Sequence, residues 1–283
     1  MFRWSDVCGA RPVVMGVLNV TPDSFSDGGR FARPDAAVAR GIELAAAGAD
    51  VLDIGGESTR PGAEPVEAAE ELRRVVPVVE QLAGEVRAPI SVDTTKAAVA
   101  VAALDAGATI VNDVSAARFD PEMLPLVAER RAGLVLMHML GEPRTMQDDP
   151  RYDDVVREVG DFLAERLAIA EAAGVDRAAV CVDPGIGFGK TIDHNLTLLA
   201  HLRDLVERFD VPVMIGTSRK AFLGTLLRDV AGEVGVPPPE RRDDGTLATV
   251  VLGLDAGARI VRVHEPRPAA RAVALLDALR HAA

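Results

Sequence analysis

The 283-residue sequence predicts a fold of the α/β class, a (β/α)8 or TIM barrel, as a single domain spanning residues 1–283. Two observations indicate this fold. Short apolar runs, too uniform to alternate with polar residues, recur between segments of helical periodicity, as expected for strands buried on both faces of a parallel sheet. A weak repeat of helix end, glycine and new strand occurs at residues 45–56, 103–114 and 253–264.

The apolar runs number eight and are predicted to be the strands of the barrel. They lie at residues 13–20, 50–56, 89–94, 109–115, 133–139, 179–185, 211–218 and 258–264. Strands joined through helices must be parallel, and eight such units close naturally into a barrel. A doubly wound open sheet is the alternative topology. Residues 229–245 contain three consecutive prolines and many charges, which predicts a surface loop within the seventh helical segment.

Composition argues against several classes of protein. The formal net charge of −12 disfavours nucleic acid and anionic membranes as partners, so a phosphate-bearing ligand is expected to be small. Two cysteines, Cys8 and Cys181, lack CxxC spacing and exclude a disulfide framework. No apolar run has the length of a signal peptide or a membrane span, so a cytoplasmic location is expected.

Polar residues stand at the carboxyl ends of the predicted strands. A single residue of this kind most often hydrogen-bonds the rim of the barrel, but in a closed barrel all of them converge on one crater. Their agreement therefore favours a ligand site over separate structural roles. The set comprises Asn19, Glu57, Ser58, Thr59, Arg60, Asp93, Thr94, Asn112, Asp113, His138, Asp183, Ser218, Arg219, Lys220, Arg262 and His264.

The chemistry of this set divides in two. Asp93, Asn112 and Asp183 combine carboxylates with an amide, which suits the edge of a flat nitrogen heterocycle that bears amino and ring N–H groups. Arg262 and His264 lie two apart on one strand and share a face. With Asn19 across the barrel, they are suited to surround an anion and its metal.

Eight segments of the chain resemble the dihydropteroate synthase family. The resemblance runs from about residue 13 to the end and is carried by long motifs, among them NVTPDSFSDGG, DIGGESTRPGA and DPGIGFGK. The segments are residues 19–29, 53–63, 91–94, 112–115, 136–139, 183–190, 218–220 and 262–264. The chain departs from the family pattern in two places: Glu265 and Pro266 follow His264 where the family has Asp, and Ala116 and Ala117 stand where it has Gly-Gly.

This resemblance implies that 6-hydroxymethyl-7,8-dihydropterin diphosphate is joined to 4-aminobenzoate, with Mg²⁺ as cofactor. It assigns the pterin to Asp93, Asn112, Asp183 and Lys220, the diphosphate to Asn19, Thr59, Arg262 and His264, and the metal to Asn19. The aminobenzoate is assigned to Phe25, Thr59, Arg60, Pro61, Phe188, Ser218 and Lys220. Catalysis is assigned to Asp93, Lys220, Arg262 and His264.

The resemblance also implies small-molecule substrates, inhibition by sulfonamides and a homodimer formed through helices late in the chain. Two alternatives stay open at this point. The chain could be a non-catalytic pterin-binding paralogue, because some relatives keep the scaffold without the activity. It could also be a pterin-using methyltransferase of similar barrel form, which should not need the residues 59–62 (TRPG) or the Ser-Arg-Lys segment at 218–220.

Overall fold

Eight parallel strands form the barrel in a computed structural model that describes residues 1–21, 34–60, 62–232 and 234–282. The strands lie side by side in the order β6-β5-β4-β3-β2-β1-β8-β7. They are β1 Val13–Asn19, β2 Val51–Gly55, β3 Ile90–Asp93, β4 Ile110–Asp113, β5 Gly133–Met137, β6 Val180–Asp183, β7 Met214–Ile215 and β8 Ile260–Val263. Each lies within one of the predicted apolar runs.

The two ends of this sheet meet and close the barrel between β6 and β7. Val182 and Val213 form a parallel bridge, and the Val182 amide donates to the Pro212 carbonyl at 3.0 Å. A doubly wound sheet would leave both edge strands open. The predicted barrel is therefore confirmed, and the open-sheet alternative is wrong.

Helices connect successive strands and cover the outside of the barrel. Within the described segments they are α1 Trp4–Cys8, α2 Pro34–Ala46, α3 Ala68–Glu85, α4 Ala97–Asp105, α5 Met123–Arg130, α6 Val155–Ala172, α7 Ile192–Ala200, α8 Leu202–Arg208, α9 Ala221–Ala231, α10 Asp243–Asp255 and α11 Pro266–His281. Short 3-10 turns occupy Arg177–Ala179 and Pro239–Arg241. None of the helices in the described segments is both long enough and apolar enough to span a membrane.

The predicted loop in the seventh helical segment is shorter than its composition suggested. Helix α9 continues to Ala231, and α10 already begins at Asp243, so both ends of the predicted range 229–245 are helical. Gly232 ends α9 with a left-handed φ of 77°, a conformation that glycine adopts without steric cost.

Apolar side chains fill the amino-terminal half of the barrel interior. The layer includes Met15, Val51, Cys181 and Met214, each essentially inaccessible to solvent. Trp4 from α1 packs into the same cluster and closes this end of the barrel. Because this end is filled with hydrocarbon, the polar chemistry is confined to the carboxyl ends of the strands.

The loop after β4 adopts a backbone conformation that its residues disfavour. Ala116 and Ala117 have φ angles of 55° and 57°, in the left-handed region that costs an L-residue other than glycine about 1–2 kcal/mol. The side chain of Arg166 holds the turn, because its Nε donates to the Ala116 carbonyl at 2.8 Å and its Nη2 to the Ala117 carbonyl at 3.3 Å. These are the two positions at which the family pattern has glycine.

We predict that Ala117→Gly leaves the free energy of unfolding unchanged or raises it by up to about 1 kcal/mol, measured by urea denaturation. Relief of the left-handed strain outweighs the loss of one buried methyl group, worth about 0.8 kcal/mol. The control is Ala168→Gly at an exposed position inside α6, which should lower stability by about 1 kcal/mol. Equal losses in the two variants would contradict the prediction.

Candidate active site

The register of the parallel strands brings the predicted site residues together at the carboxyl end of the barrel. Asp93 on β3 pairs with Gly55 on β2 and with Asn112 on β4. A Cβ atom at Gly55 would stand 3.4 Å from the Cβ of Asp93, an ordinary van der Waals contact, so the ends of the two strands lie side by side. The predicted crater is therefore formed by side chains from neighbouring strands.

Arg262 on β8 is the central cation of this crater. Its Nε donates to Asp53 Oδ2 at 2.6 Å, and its Nη2 donates to Asp93 Oδ2 at 2.6 Å. Asn112 Nδ2 donates to the same Asp53 oxygen at 3.0 Å. Two guanidinium nitrogens thus face carboxylates, and an anion would meet Arg262 through its remaining N–H groups.

Asp53 is a site residue that the sequence reasoning missed. Its side chain is fully buried, and it joins Arg262 to Asn112 from the middle of β2. The signal was a charged residue in an otherwise apolar strand, on the interior face that it shares with Val51 and Gly55 by the period of two. Among the described residues, neither Asp53 Oδ1 nor Asn112 Oδ1 has a hydrogen-bond partner, so both are free to accept from a ligand.

The carboxyl group of Asp93 titrates near neutrality. Burial raises its pKa to about 7, the charge of Asp53 adds to the rise, and the Arg262 guanidinium opposes it. Arg262 itself stays charged, because Asp53 and Asp93 raise its pKa although burial opposes the cation. The cluster therefore holds one permanent positive charge between the carboxyl groups of Asp53 and Asp93.

Asp183 and Lys220 form the opposite side of the crater. Asp183 Oδ1 accepts from the Gly185 amide at 2.7 Å, and Lys220 Nζ donates to the Ile186 carbonyl. The Lys220 ammonium also lies 4.3 Å from the centroid of the Phe188 ring. Burial lowers the pKa of Lys220 to about 7, with Asp183 opposing the shift and Arg262 adding to it.

His264 stands beside Ser218 at the outer edge of the site. Its amide and Nδ1 lie 3.2 and 2.9 Å from Ser218 Oγ. Burial lowers the pKa of His264 to about 3, and the charges of Arg262, Arg219 and Arg60 add to the shift. The imidazole is therefore neutral at pH 7 and offers a hydrogen bond, not a positive charge, to an anion.

The remaining predicted site residues surround this core. Asn19, part-buried, ends β1 beside Gly55; Thr59 is part-buried and Arg60 exposed in the segment after β2. Phe188 packs in an apolar cluster with Val114, Met137, Met139 and Met146. Phe25 and Pro61 lie outside the described residues.

Three strand-end residues of the predicted crater instead pair with the scaffold. Each is a charged or ionisable group whose partner lies on a neighbouring loop or helix. The pairs are Glu57 with Lys96, Arg219 with Asp243, and His138 with Lys190. Lys96 also donates to the buried Glu71 at 2.6 Å, which ties the segment after β2 to α3.

Glu265, the departure from the family pattern, joins two arginines. Its Oε1 accepts from Arg40 Nη2 on α2 at 2.8 Å and lies 3.5 Å from Arg219 Nη2. Arg40 also donates to the His264 carbonyl at 3.2 Å. The residue thus supports the end of β8 through its two arginine partners.

Comparison with known proteins identifies this arrangement. A family model described as pterin binding enzyme matches residues 15–264. The chain belongs to this family. The dihydropteroate synthase of Mycobacterium leprae (strain TN) is 48% identical over 270 residues, covering 95% of this chain and 94% of that protein.

Solved structures of pterin binding enzymes agree with the fold. Xanthomonas albilineans dihydropteroate synthase with 4-aminobenzoic acid is 49% identical, with a TM-score of 0.87 over 95% of this chain and 93% of that one. The Xanthomonas albilineans enzyme in complex with 7,8-dihydropteroate gives 46% identity and a TM-score of 0.83, covering 95% and 94% of the two chains.

We predict that Lys220 titrates near pH 7. The chain has three lysines, Lys96, Lys190 and Lys220, so labelling with [ε-¹³C]lysine gives a spectrum simple enough to follow each ammonium by NMR. Because the folded pKa lies below the ordinary value of 10.5, the unfolded chain binds more protons between about pH 7 and 10.5. This contribution to stability therefore rises with pH across that window.

Lys220→Arg assigns the signal, and Lys96 is the internal control. Although burial opposes it, Glu57 and Glu71 raise the pKa of Lys96 above its ordinary value, so its signal should not move below pH 10. A Lys220 signal that also stays unchanged up to pH 9 would refute the assignment.

Proposed function

We infer that the chain acts as a dihydropteroate synthase, a transferase of folate biosynthesis. It joins 6-hydroxymethyl-7,8-dihydropterin diphosphate to 4-aminobenzoate and releases 7,8-dihydropteroate and diphosphate. The observation that carries this inference is the buried wall of Asp53, Asn112 and Asp93 around Arg262, at the mouth of a pterin binding enzyme barrel. Relatives with this activity match it over nearly their whole length.

Recognition of the pterin ring follows from unsatisfied acceptors on one side and apolar atoms on the other. Asp53 Oδ1 and Asn112 Oδ1 accept from the amino and ring N–H groups of the heterocycle. Asp183 offers a further carboxylate, and its burial raises its pKa. Met137 and Phe188 supply an apolar surface for the flat ring.

The chemical step is a displacement at the methylene carbon of the pterin. Its bond to the diphosphate oxygen breaks, and the electron pair leaves with the diphosphate. The nitrogen of 4-aminobenzoate forms the new C–N bond and releases one proton to solvent. Ionised Asp93 stabilises positive charge on the pterin, Lys220 helps to hold the pterin, and Arg262 takes up charge on the leaving group, so no protein nucleophile is required.

Asn19 is the proposed protein ligand of Mg²⁺. Its amide oxygen is a hard donor at the end of β1, on the side of the crater where the diphosphate is proposed to lie. Mg²⁺ keeps several waters and is held largely by substrate phosphates, so one amide suffices. When bound, the ion neutralises charge on the leaving diphosphate.

Arg60 and Ser218 are proposed to receive 4-aminobenzoate. Arg60 is exposed, and its charge reaches the His264 ring, so it stands at the rim where a carboxylate enters. Ser218, whose Oγ lies 2.9 Å from His264 Nδ1, and Lys220 are proposed to line the same subsite, and Thr59 is proposed to serve both this subsite and the diphosphate. Phe25 and Pro61 keep their proposed part in this subsite by family resemblance.

The alternative functions find no support in the departures from the family pattern. Ala116 and Ala117 lie in the turn held by Arg166, and Glu265 pairs with Arg40 and Arg219. The proposed substrate contacts do not depend on either change. We therefore prefer the function of a dihydropteroate synthase to that of a non-catalytic paralogue.

One assay tests the proposed function: the protein, the pterin diphosphate, 4-aminobenzoate and Mg²⁺ are mixed, and dihydropteroate is followed by mass spectrometry. We expect product that disappears when EDTA removes the metal. Lys220→Ala should lower kcat/KM by about 100-fold, because one preorganised hydrogen-bond donor to the pterin is lost. Arg262→Lys should lower it by about tenfold or more, because an ammonium does not reproduce the two guanidinium bonds.

Arg73→Ala on the outside of α3 is the matched control, since it removes an exposed cation far from the crater. Its turnover should equal that of the unmodified protein. A folded protein that binds pterin but forms no product would favour the paralogue, and a fully active Lys220→Ala would remove Lys220 from the mechanism.

We also propose that the chain forms a homodimer through α10 and α11. These two helices pack together and expose Val251, Leu252, Leu275 and Leu279, an apolar group that a second copy could cover. In sedimentation equilibrium, we expect twice the chain mass of 29.8 kDa. Leu275→Glu with Leu279→Glu should give the single chain mass, whereas Leu196→Glu, an exposed leucine on α7, should not. A monomeric unmodified protein would overturn this proposal.

A further inference from the structure

The chain places all of its lysines at one end of the barrel. Its 31 basic residues include three lysines, and these follow the carboxyl ends of β3, β6 and β7. Lys220 belongs to the proposed site, and Lys96 pairs with Glu57 and Glu71. Lys190 has no such role so far, although it is only 3% exposed.

Lys190 is bonded to the loop that precedes it. Its Nζ donates to the carbonyls of Gly185 and Phe188, each at 3.0 Å, and lies 2.8 Å from His138 Nδ1. Burial lowers the pKa of His138 and keeps the ring neutral, so Nδ1 can accept. Burial lowers the pKa of Lys190, and its amino group, in contact with two carbonyls and an imidazole, is satisfied entirely by the scaffold, so it does not need a ligand of its own.

This loop, residues 185–189, is held at every carbonyl. Lys190 Nζ donates to the carbonyls of Gly185 and Phe188, and Lys220 Nζ donates to the carbonyl of Ile186. Gln147 Nε2 donates to the Gly187 carbonyl, and Tyr152 Oη donates to the Gly189 carbonyl, each at 2.8 Å. Five successive carbonyls fixed by side chains make this loop a rigid element of the site, not a free connection.

The backbone of the loop needs glycine at two positions, because neighbouring atoms lie too close for a side chain. Gly185 and Gly187 have left-handed φ angles of 64° and 84°. A Cβ atom at Gly185 would stand 1.9 Å from the His138 carbonyl oxygen, and one at Gly187 would stand 2.8 Å from Lys220 Cδ. The loop therefore lies directly between His138, the residue after β5, and the side chain of Lys220.

The two lysines hold the loop from opposite sides. Lys190 fixes the carbonyls on either side of Ile186 and Gly187, and this places the Ile186 carbonyl as the acceptor for Lys220. The same bonds place the Phe188 ring 4.3 Å from the Lys220 ammonium. The position of Lys220 thus depends on a loop whose own position depends on Lys190.

We propose that Lys190 is a positioning residue for pterin binding, which acts through the 185–189 loop on the orientation of Lys220. The proposal rests on the proposed function, because it assumes that Lys220 contacts the pterin. Lys190 touches no substrate. Its removal frees the loop, and Lys220 then loses both the carbonyl and the ring that orient it.

A double-mutant cycle tests this proposal by calorimetric titration with 6-hydroxymethylpterin, a ligand that cannot turn over. We expect Lys190→Met to weaken binding about tenfold in the otherwise unmodified protein. In a Lys220→Met background, the same substitution should weaken binding less than twofold, because the residue through which it acts is gone. Arg130→Met, which removes an exposed cation in the last turn of α5 outside the site, is the control and should change affinity less than twofold.

Equal losses in both backgrounds would overturn the proposal, since Lys190 would then act independently of Lys220, and so would an unchanged affinity. Lys190→Gln keeps N–H donors for the carbonyls and covers failure of the methionine variant to fold; it should lose about threefold, again only when Lys220 is present. If neither variant folds, Lys190 is a folding determinant and the proposal is wrong. Absence of pterin binding by the unmodified protein would instead refute the proposed function.

Discussion

The ion pairs of Arg262 with Asp53 and Asp93 are the interaction on which the rest of the site depends. They connect β8 to β2 and β3 across the interior of the barrel, where both carboxylates are buried and Arg262 is partly buried. Breaking one partner of a buried pair costs about 3–5 kcal/mol, because the other charge is left uncompensated. Loss of either partner would therefore destabilise the barrel, and the same bonds position the proposed pterin acceptors.

The Arg262 ion pairs lie at the boundary between two halves of the barrel interior. Below the Arg262 cluster, Met15, Val51 and Met214 form a dry core that Trp4 closes. Above it, the side chains are polar and several are shifted in pKa, as burial raises that of Asp93 and lowers that of Lys220. Groups that titrate near neutrality are suited to a reaction in which charge develops on both the pterin and the leaving diphosphate.

The loop after β6 is held in one conformation by hydrogen bonds to its backbone carbonyls. Its carbonyls meet the donors of Lys190, Lys220, Gln147 and Tyr152, so the chain gains a fixed surface without a long strand or helix. Fixing a loop before the ligand arrives lowers the entropy lost on binding. Preorganisation at the pterin side is thus built into the resting structure.

The amino-acid sequence by itself determined the barrel and the location of the site. Uniform apolar runs forced strands to be buried on both faces, and helix-length segments between them forced those strands to be parallel. Polar residues at the strand ends then had to converge, which is why the sequence predicted that the side chains of Asp93, Asn112, Asp183 and Lys220 lie around one crater.

Only the tertiary structure decided the partners of those residues. Asp53, Lys96 and Lys190 were missed because their roles come from pairs that are distant in the sequence: Asp53 meets Arg262 209 residues away, and Lys190 meets His138 52 residues away. The neutral state of His264 likewise depends on burial and on surrounding arginines. Period and composition specify which face a side chain occupies, whereas charge state and hydrogen-bond partner depend on distances that exist only after the chain has closed.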